Sequence, residues 1–337
     1  MEQRVLGKTG RPVSIIGLGT WQLGADWGSV TESDALGVLS AAVDSGVTFL
    51  DTADVYGDGR SEQIIGQFLA GNPGHGVTVA TKMGRRVAQV PENYTLANFR
   101  AWTDRSRANL RVDRLDLVQL HCPPTAVYGS SALYDALDTL VAEDRIAAYG
   151  VSVETCAEAL AAIARPGVAT VQIIFNAFRR KPLDQVLPAA AAAGVGIIVR
   201  VPLASGLLAA RYTLDTTFSA DDHRNYNRHG EAFDVGETFS GVDYATGVQA
   251  ATEFAAIVSA PGAYTADFTW TATTAQAALR WAVQQPGVTT VIPGARNTAQ
   301  ARQNAMAAAL PPLSERALGD IEGLYDKYFR DEIHARW

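Results

Sequence analysis

Val47-Thr48-Phe49-Leu50-Asp51-Thr52-Ala53-Asp54-Val55-Tyr56-Gly57 carries a strand, a polar strand end and a loop in eleven residues. The first four are β-branched or large and apolar, the composition of a buried strand. Asp51 ends the run, and a loop bearing Tyr56 follows. Arg60-Ser61-Glu62 then opens an apolar-periodic stretch, 61–70, that predicts a helix.

The same order recurs on both sides. Besides 47–50, strands are predicted at 15–18, 77–81, 115–120, 147–151, 170–174, 196–199 and 289–292. Helices are predicted near 32–45, 61–70, 95–110, 130–143, 154–164, 183–193, 272–285 and 297–308, with Thr31 and Asn297-Thr298 as further start signals. Repeated strand–helix units imply a parallel sheet, and eight of them close into a (β/α)8 TIM barrel. An open doubly wound sheet competes, but it usually has fewer strands and a GxGxxG turn, which this chain lacks. Before the first unit, 4–6 and 13–16 flank Gly7-Lys8-Thr9-Gly10, the pattern of an N-terminal β-hairpin or of a strand feeding the barrel.

The 337 residues exceed the roughly 250 of a plain barrel. The reading is one barrel domain over 1–337 with an insertion at 209–270, after strand seven, where a βα loop usually has about 2–6 residues. Long βα loops of barrels lie on the catalytic face, so the insertion is expected to wall the substrate pocket; a solvated surface excursion is the other reading. The stretch from Ser314 to Trp337 should begin as a helix and cap the barrel or pack beside its rim.

Hydrophobic residues make up 47% and charged ones 19%, which excludes a disordered chain. Net charge is −7 with no basic block, arguing against nucleic acid or an anionic membrane as partner. The longest apolar run, 187–199, contains Pro188 and falls short of the roughly 20 residues of a membrane span. Met1 to Pro12 has no apolar signal core. Cys122 and Cys156 lack CxxC spacing, so a reduced, cytoplasmic protein without a disulfide or cysteine metal site is expected.

In such a barrel, polar residues at strand ends point into the active-site mouth. They are Asp51, with Tyr56 in the loop beyond, then Lys82, His121, Ser152, Gln172 with Asn176, and Arg200. Taken singly, each has a bland reading as turn-former, packing ring, rim charge or core histidine. Together, Asp51, Tyr56, Lys82 and His121 suit carbonyl reduction. The carbonyl oxygen must gain a proton, and a tyrosine hydroxyl, with a reference pKa of about 10, is a weak donor. A lysine ammonium beside it would lower that value, an aspartate would hold the lysine charged, and a neutral histidine could orient the carbonyl. No metal is needed.

These residues resemble the Asp-Tyr-Lys-His tetrad of the aldo-keto reductases in order and context. Gly17-Leu18-Gly19-Thr20-Trp21, Asp51-Thr52-Ala53 with Tyr56-Gly57 and Ser61-Glu62, Gln119-Leu120-His121 and Gly150-Val151-Ser152 are similar to that family's motifs, so the resemblance spans nearly the whole chain. It implies NADP(H) as cofactor and a small carbonyl substrate. It also implies that Ser152 and Gln172 bind the nicotinamide carboxamide, with Gly19, Thr20 and Trp21 beside the ring and Asp51 near its ribose. Pro202, Leu203, Ser205 and Gly206 resemble the loop over the pyrophosphate, and Gly294, Arg296, Gln300 and Asn304 the adenosine-phosphate end. Physical chemistry agrees at that end. A helix start attracts anions, Arg296 can fork onto a phosphate, and residues four apart share a face.

Two departures stand out. Arg200 replaces the aromatic residue that often stacks on the nicotinamide. A guanidinium there could press on the reduced ring but would repel the oxidised one, unless an acidic residue of the insertion such as Asp221 or Asp222 draws it away. The long insertion is the second departure, so specificity does not carry over from shorter relatives. Other functions on this fold are a cofactor-sensing partner protein, as in potassium-channel β subunits, and a lyase or isomerase acting on a phosphorylated sugar.

Overall fold

The computed structural model describes residues 1–24, 30–74 and 76–337. Strands β1 (Gln3–Val5) and β2 (Pro12–Ser14) form an antiparallel hairpin. Among the described residues eight parallel strands follow: β3 (Leu18–Gly19), β4 (Phe49–Asp51), β5 (Thr78–Met83), β6 (Leu117–His121), β7 (Tyr149–Ser152), β8 (Val168–Ile174), β9 (Gly196–Arg200) and β10 (Val288–Val291). Each pairs with the next in chain order. Parallel bridges from Ile16 to Val291 and Gly19 to Gly294 bring the last strand back to the first, so the fold is a (β/α)8 barrel. The first strand is later and shorter than the predicted 15–18, because its contact with β10 is made by single bridges rather than a continuous ladder.

Helices α1 (Glu32–Asp44), α2 (Arg60–Gly71), α3 (Leu96–Leu110), α4 (Ser131–Ala142), α5 (Cys156–Ile163) and α6 (Val186–Ala193) alternate with the strands. Thr31 caps α1, its side chain accepting from the Asp34 N–H at 3.1 Å, a contact worth about 1 kcal/mol. The second helix starts differently: Gly59 precedes it in the left-handed region (φ 96°) without a side-chain cap.

The insertion carries the short helix α7 (His223–Tyr226) and the long α8 (Tyr244–Ser259), after which α9 (Thr274–Gln284) and α10 (Thr298–Met306) complete the ring. It is not merely a solvated excursion. Asp222, His223, Asn227, Phe239 and Phe254 are buried, and the Asn176 amide donates to the Ser240 hydroxyl at 2.8 Å, tying it to the barrel. Helix α11 (Glu315–Tyr328) packs on α8, and the terminal Trp337 lies over the Arg179 guanidinium at 3.9 Å. The C-terminal segment therefore packs beside the rim.

Strand side chains alternate, so one row faces the lumen and the next faces the helices. Leu50, Val79, Val118 and Ile197 join the main core between sheet and helices. Phe49, Ala80, Leu117 and Ile198 instead cluster with Leu6 and Val13 of the hairpin, which plugs the bottom of the barrel. Two residues onward, the lumen rows turn polar: Asp51 after Phe49, Lys82 after Ala80, Gln119 and His121 after Leu117, and Arg200 after Ile198. An apolar plug thus sits directly beneath a polar mouth.

Candidate active site

Lys82 is buried and ion-pairs with Asp51. Its ammonium also donates to the Thr52 carbonyl at 2.9 Å and to the Tyr56 hydroxyl at 3.4 Å. Asp51 is held from its other oxygen by the amides of Gln172 (2.7 Å) and Gln119 (3.2 Å). A carboxylate with three donors around it is fixed in position. Burial opposes the lysine charge, but Asp51 and Tyr56 outweigh it and hold the ammonium above its ordinary range.

Tyr56 reaches the mouth through a turn of positive φ at Gly57 (58°), Asp58 (53°) and Gly59 (96°). A side chain at Gly57 would collide with the Gly24 carbonyl, so glycine is required there by space as well as by conformation. The Tyr56 ring stacks on Trp21 at 6.0 Å and meets the His121 ring edge-on at 6.0 Å. The expected lowering of the tyrosine pKa is not what the site produces. Burial pushes the hydroxyl above its ordinary range, against the pull of Lys82, with Asp51 and Glu237 pushing the same way. Tyr56 is therefore a firmly protonated donor. Burial, helped by Arg85, Lys82 and Arg200, drives His121 well below the usual imidazole range, so it is neutral, as expected from sequence. Its Nδ1 is buried without a hydrogen-bond partner among the described residues.

Arg200 lies at the end of β9 and lines the same mouth. It is ion-paired with Glu237 of the insertion, and donates to Glu154 and to the Val153 carbonyl, each at 2.9 Å. Burial opposes its charge, but the two glutamates hold the guanidinium well above its ordinary range. The acidic partner from the insertion is Glu237, not Asp221 or Asp222; Asp222 pairs with Arg224. With its charge offset by two carboxylates, Arg200 loses the basis for repelling an oxidised nicotinamide.

Tyr56, His121 and Arg200 line one end of a cavity of about 500 Å3. Gly19, Thr20, Trp21, Asp51, Ser152 and Gln172 line it too, followed by Pro202, Leu203, Ser205 and Gly206, with Gly294, Arg296, Gln300 and Asn304 at the far end. The sequence-selected residues thus meet in one continuous space, except Lys82, which sits behind Tyr56, and Asn176, whose amide is taken by the Val201 carbonyl and the Ser240 hydroxyl. Gly206 (φ 98°) permits the turn of its loop, and the Ser205 hydroxyl donates to the Glu237 carbonyl and accepts from the Phe239 N–H, both at 3.0 Å.

At the far end, α10 begins at Thr298 under an Asn297 cap, and Gly294 lies in the loop before the helix. Gln300 accepts from the Arg296 N–H at 2.8 Å and Asn304 donates to the Gly294 carbonyl at 3.1 Å. Both side chains brace this loop as well as lining the cavity. The Arg296 guanidinium stays half-exposed, with Asp222 at 3.7 Å.

Several lining residues were not selected from sequence. Gln119, which braces Asp51 from beneath the cavity, was also within reach, standing two residues before His121 on the same strand face. Arg85, Phe233 and Glu237 come from irregular or single-turn segments and His223 from the one-turn helix α7, too short for a periodicity to mark a direction. Among the described residues no group of three or more His, Cys, Asp or Glu could hold a metal ion, and no helix is long and apolar enough to cross a membrane.

A barrel with this mouth defines the oxidoreductases of one large class, and comparison with known proteins identifies it. The profile of the Aldo/keto reductase family matches residues 15–326, and the chain belongs to that family. It is 29% identical over 304 residues to the aldo-keto reductase YhdN of Bacillus subtilis, covering 89% of this chain and 86% of the relative. The glycerol dehydrogenase AKR11B4 of Gluconobacter oxydans superposes with a TM-score of 0.75 at 26% identity, over 97% of this chain and 95% of that one. An aldo-keto reductase of Klebsiella pneumoniae, solved in complex with NADPH, superposes at 0.69 with 25% identity, over 96% of both.

Proposed function

We propose that the protein reduces aldehydes or ketones to alcohols with NADPH, Tyr56 acting as the acid. The observation that carries the reading is the contact of Lys82 with Tyr56 at 3.4 Å, beside a neutral His121, at one end of a cavity that runs to Arg296. The lining fits an extended dinucleotide. It places amide and hydroxyl groups at one end and an arginine near a helix start at the other, the chemistry a nicotinamide and a 2′-phosphate require. A Klebsiella relative holding NADPH supports the same choice.

When bound, NADPH supplies a hydride to the carbonyl carbon. The Tyr56 hydroxyl gives its proton to the carbonyl oxygen, and the Lys82 ammonium stabilises the phenolate left behind. Asp51, held by Gln172 and Gln119, keeps Lys82 charged and aimed. His121, neutral, donates to the carbonyl oxygen and sets its direction. Ser152, Gln172 and Asp51 hold the nicotinamide end, with Gly19, Thr20, Trp21 and Arg200 around it. Pro202, Leu203, Ser205 and Gly206 cover the pyrophosphate, and Gly294, Arg296, Gln300 and Asn304 hold the adenosine phosphate.

Fluorescence titration with NADPH, followed by turnover of a panel of simple aldehydes, tests the reading. Tight NADPH binding without turnover of any carbonyl would replace it with a cofactor-sensing role. Arg296 gives a sharper check, because it is the basic residue of the loop after β10. Arg296→Ala should weaken NADPH binding by about 1.5–3 kcal/mol, the scale of a charge-assisted hydrogen bond, and leave NADH nearly unchanged. Equal losses for both cofactors would mean that Arg296 supports the helix rather than the phosphate.

A further inference from the structure

Asp54 stands in the loop between Asp51 and Tyr56 but has no part in the chemistry above. It is 1% exposed, and neither carboxyl oxygen has a hydrogen-bond partner among the described residues. An ionised carboxylate without a donor is strongly disfavoured in such a place.

Its surroundings explain how the loop is held. Arg86, from the segment after β5, and Arg105, on α3, each donate to the Asp54 backbone carbonyl at 3.3 Å. The same two guanidiniums hold the Asp58 carboxylate, and Arg105 also donates to the Asp58 carbonyl at 2.6 Å. From α2, the buried Glu62 faces Asp54 with its oxygens taken by Thr81 (2.6 Å) and Asn109 (2.9 Å). From β5, the Lys82 carbonyl accepts from the Asp54 N–H at 3.2 Å, while its ammonium is committed to Asp51. The arginines therefore grip the turn that carries Tyr56 through Asp54's carbonyl and Asp58, and not through the Asp54 carboxyl.

We propose that Asp54 is a positioning residue for Tyr56 that works as a neutral acid. Uncharged, it leaves Arg86 and Arg105 on the turn; ionised, it competes for both guanidiniums and draws the turn away from Lys82. This rests on the assignment of Tyr56 as proton donor. The electrostatics run the same way: burial, with Glu62 adding to it and Arg86 and Arg105 opposing, raises the Asp54 carboxyl to about 7.

The sign follows from proton linkage. In the unfolded chain an aspartate ionises near pH 4, but in the fold it keeps its proton to about 7. The folded state binds the extra proton between those values, so the wild type loses stability as pH rises through that window. Asp54→Asn, which is permanently neutral and of the same shape, does not. In the full-length chain, the Tm advantage of the variant should widen from pH 5 to pH 8 and then level off. Turnover should match the wild type within about twofold at pH 6 and exceed it several-fold at pH 8.5, where most of the wild-type Asp54 is ionised. Parallel Tm curves would overturn the neutral acid, and coincident kcat–pH profiles would overturn its coupling to Tyr56. Because the Tm measurement makes no use of the chemistry, a failed Asp54 assignment and a failed Tyr56 assignment give different records.

Discussion

Tyr56→Phe is expected to lower kcat for carbonyl reduction by about 10²-fold or more while leaving NADPH affinity nearly unchanged, since a positioned general acid contributes on that scale. The ring keeps its stack on Trp21 and its edge contact with His121, so the pocket retains its shape and only the proton is lost. Burial holds the hydroxyl above its ordinary range, so the wild-type acid stays loaded through neutral pH. A fall of kcat near pH 7 would thus belong to another group, such as Asp54, whose carboxyl burial raises to about 7. Steady-state rates with a simple aldehyde, together with cofactor titration, check the expectation. A variant with wild-type turnover would remove Tyr56 from the chemistry.

The second large effect concerns stability. Arg200→Met should cost about 1–3 kcal/mol, because it takes the shared cation from the partly buried Glu154 and Glu237 and leaves Glu154 only Arg85 at 3.5 Å. Methionine fills much of the space, so the loss is electrostatic rather than a cavity. The stranded glutamates would acquire raised folded pKa values, and their penalty would vanish as pH falls below the unfolded value near 4.3. The destabilisation should therefore be small at acid pH and full at neutral pH. Adding Glu237→Gln should recover part of it, a non-additivity expected only if the two groups act as a pair. Denaturant unfolding at two pH values measures the wild type, both single variants and the double variant. An additive double variant would show that Arg200 stabilises the rim through packing alone.

The repeat of strand, polar end and helix was legible along the chain because both periodicities are local. A strand's alternation and a helix's 3.6-residue rhythm are set by neighbouring residues, whatever surrounds them. That alternation also aims the strand-end residues. Phe49 in the plug implies Asp51 in the mouth, and Leu117 implies Gln119 and His121. The ends of successive strands therefore place Asp51, Lys82 and His121 together from local pattern alone.

What the tertiary structure decided is the balance of charge and solvent around those groups. Sequence suggested that Lys82 would lower the Tyr56 pKa, but burial outweighs it, and burial is a property of the whole mouth. Sequence offered Asp221 or Asp222 as the partner of Arg200, but the partner is Glu237. That residue lies in an irregular segment anchored by Ser205 and Asn176, and no local pattern states which of its acids faces inward. The eight-strand barrel and the chemical types at its mouth were written in short-range pattern. Which charges are paired, and which protons are held, arises from contacts between residues far apart in the chain, where desolvation and Coulomb terms depend on every neighbour at once.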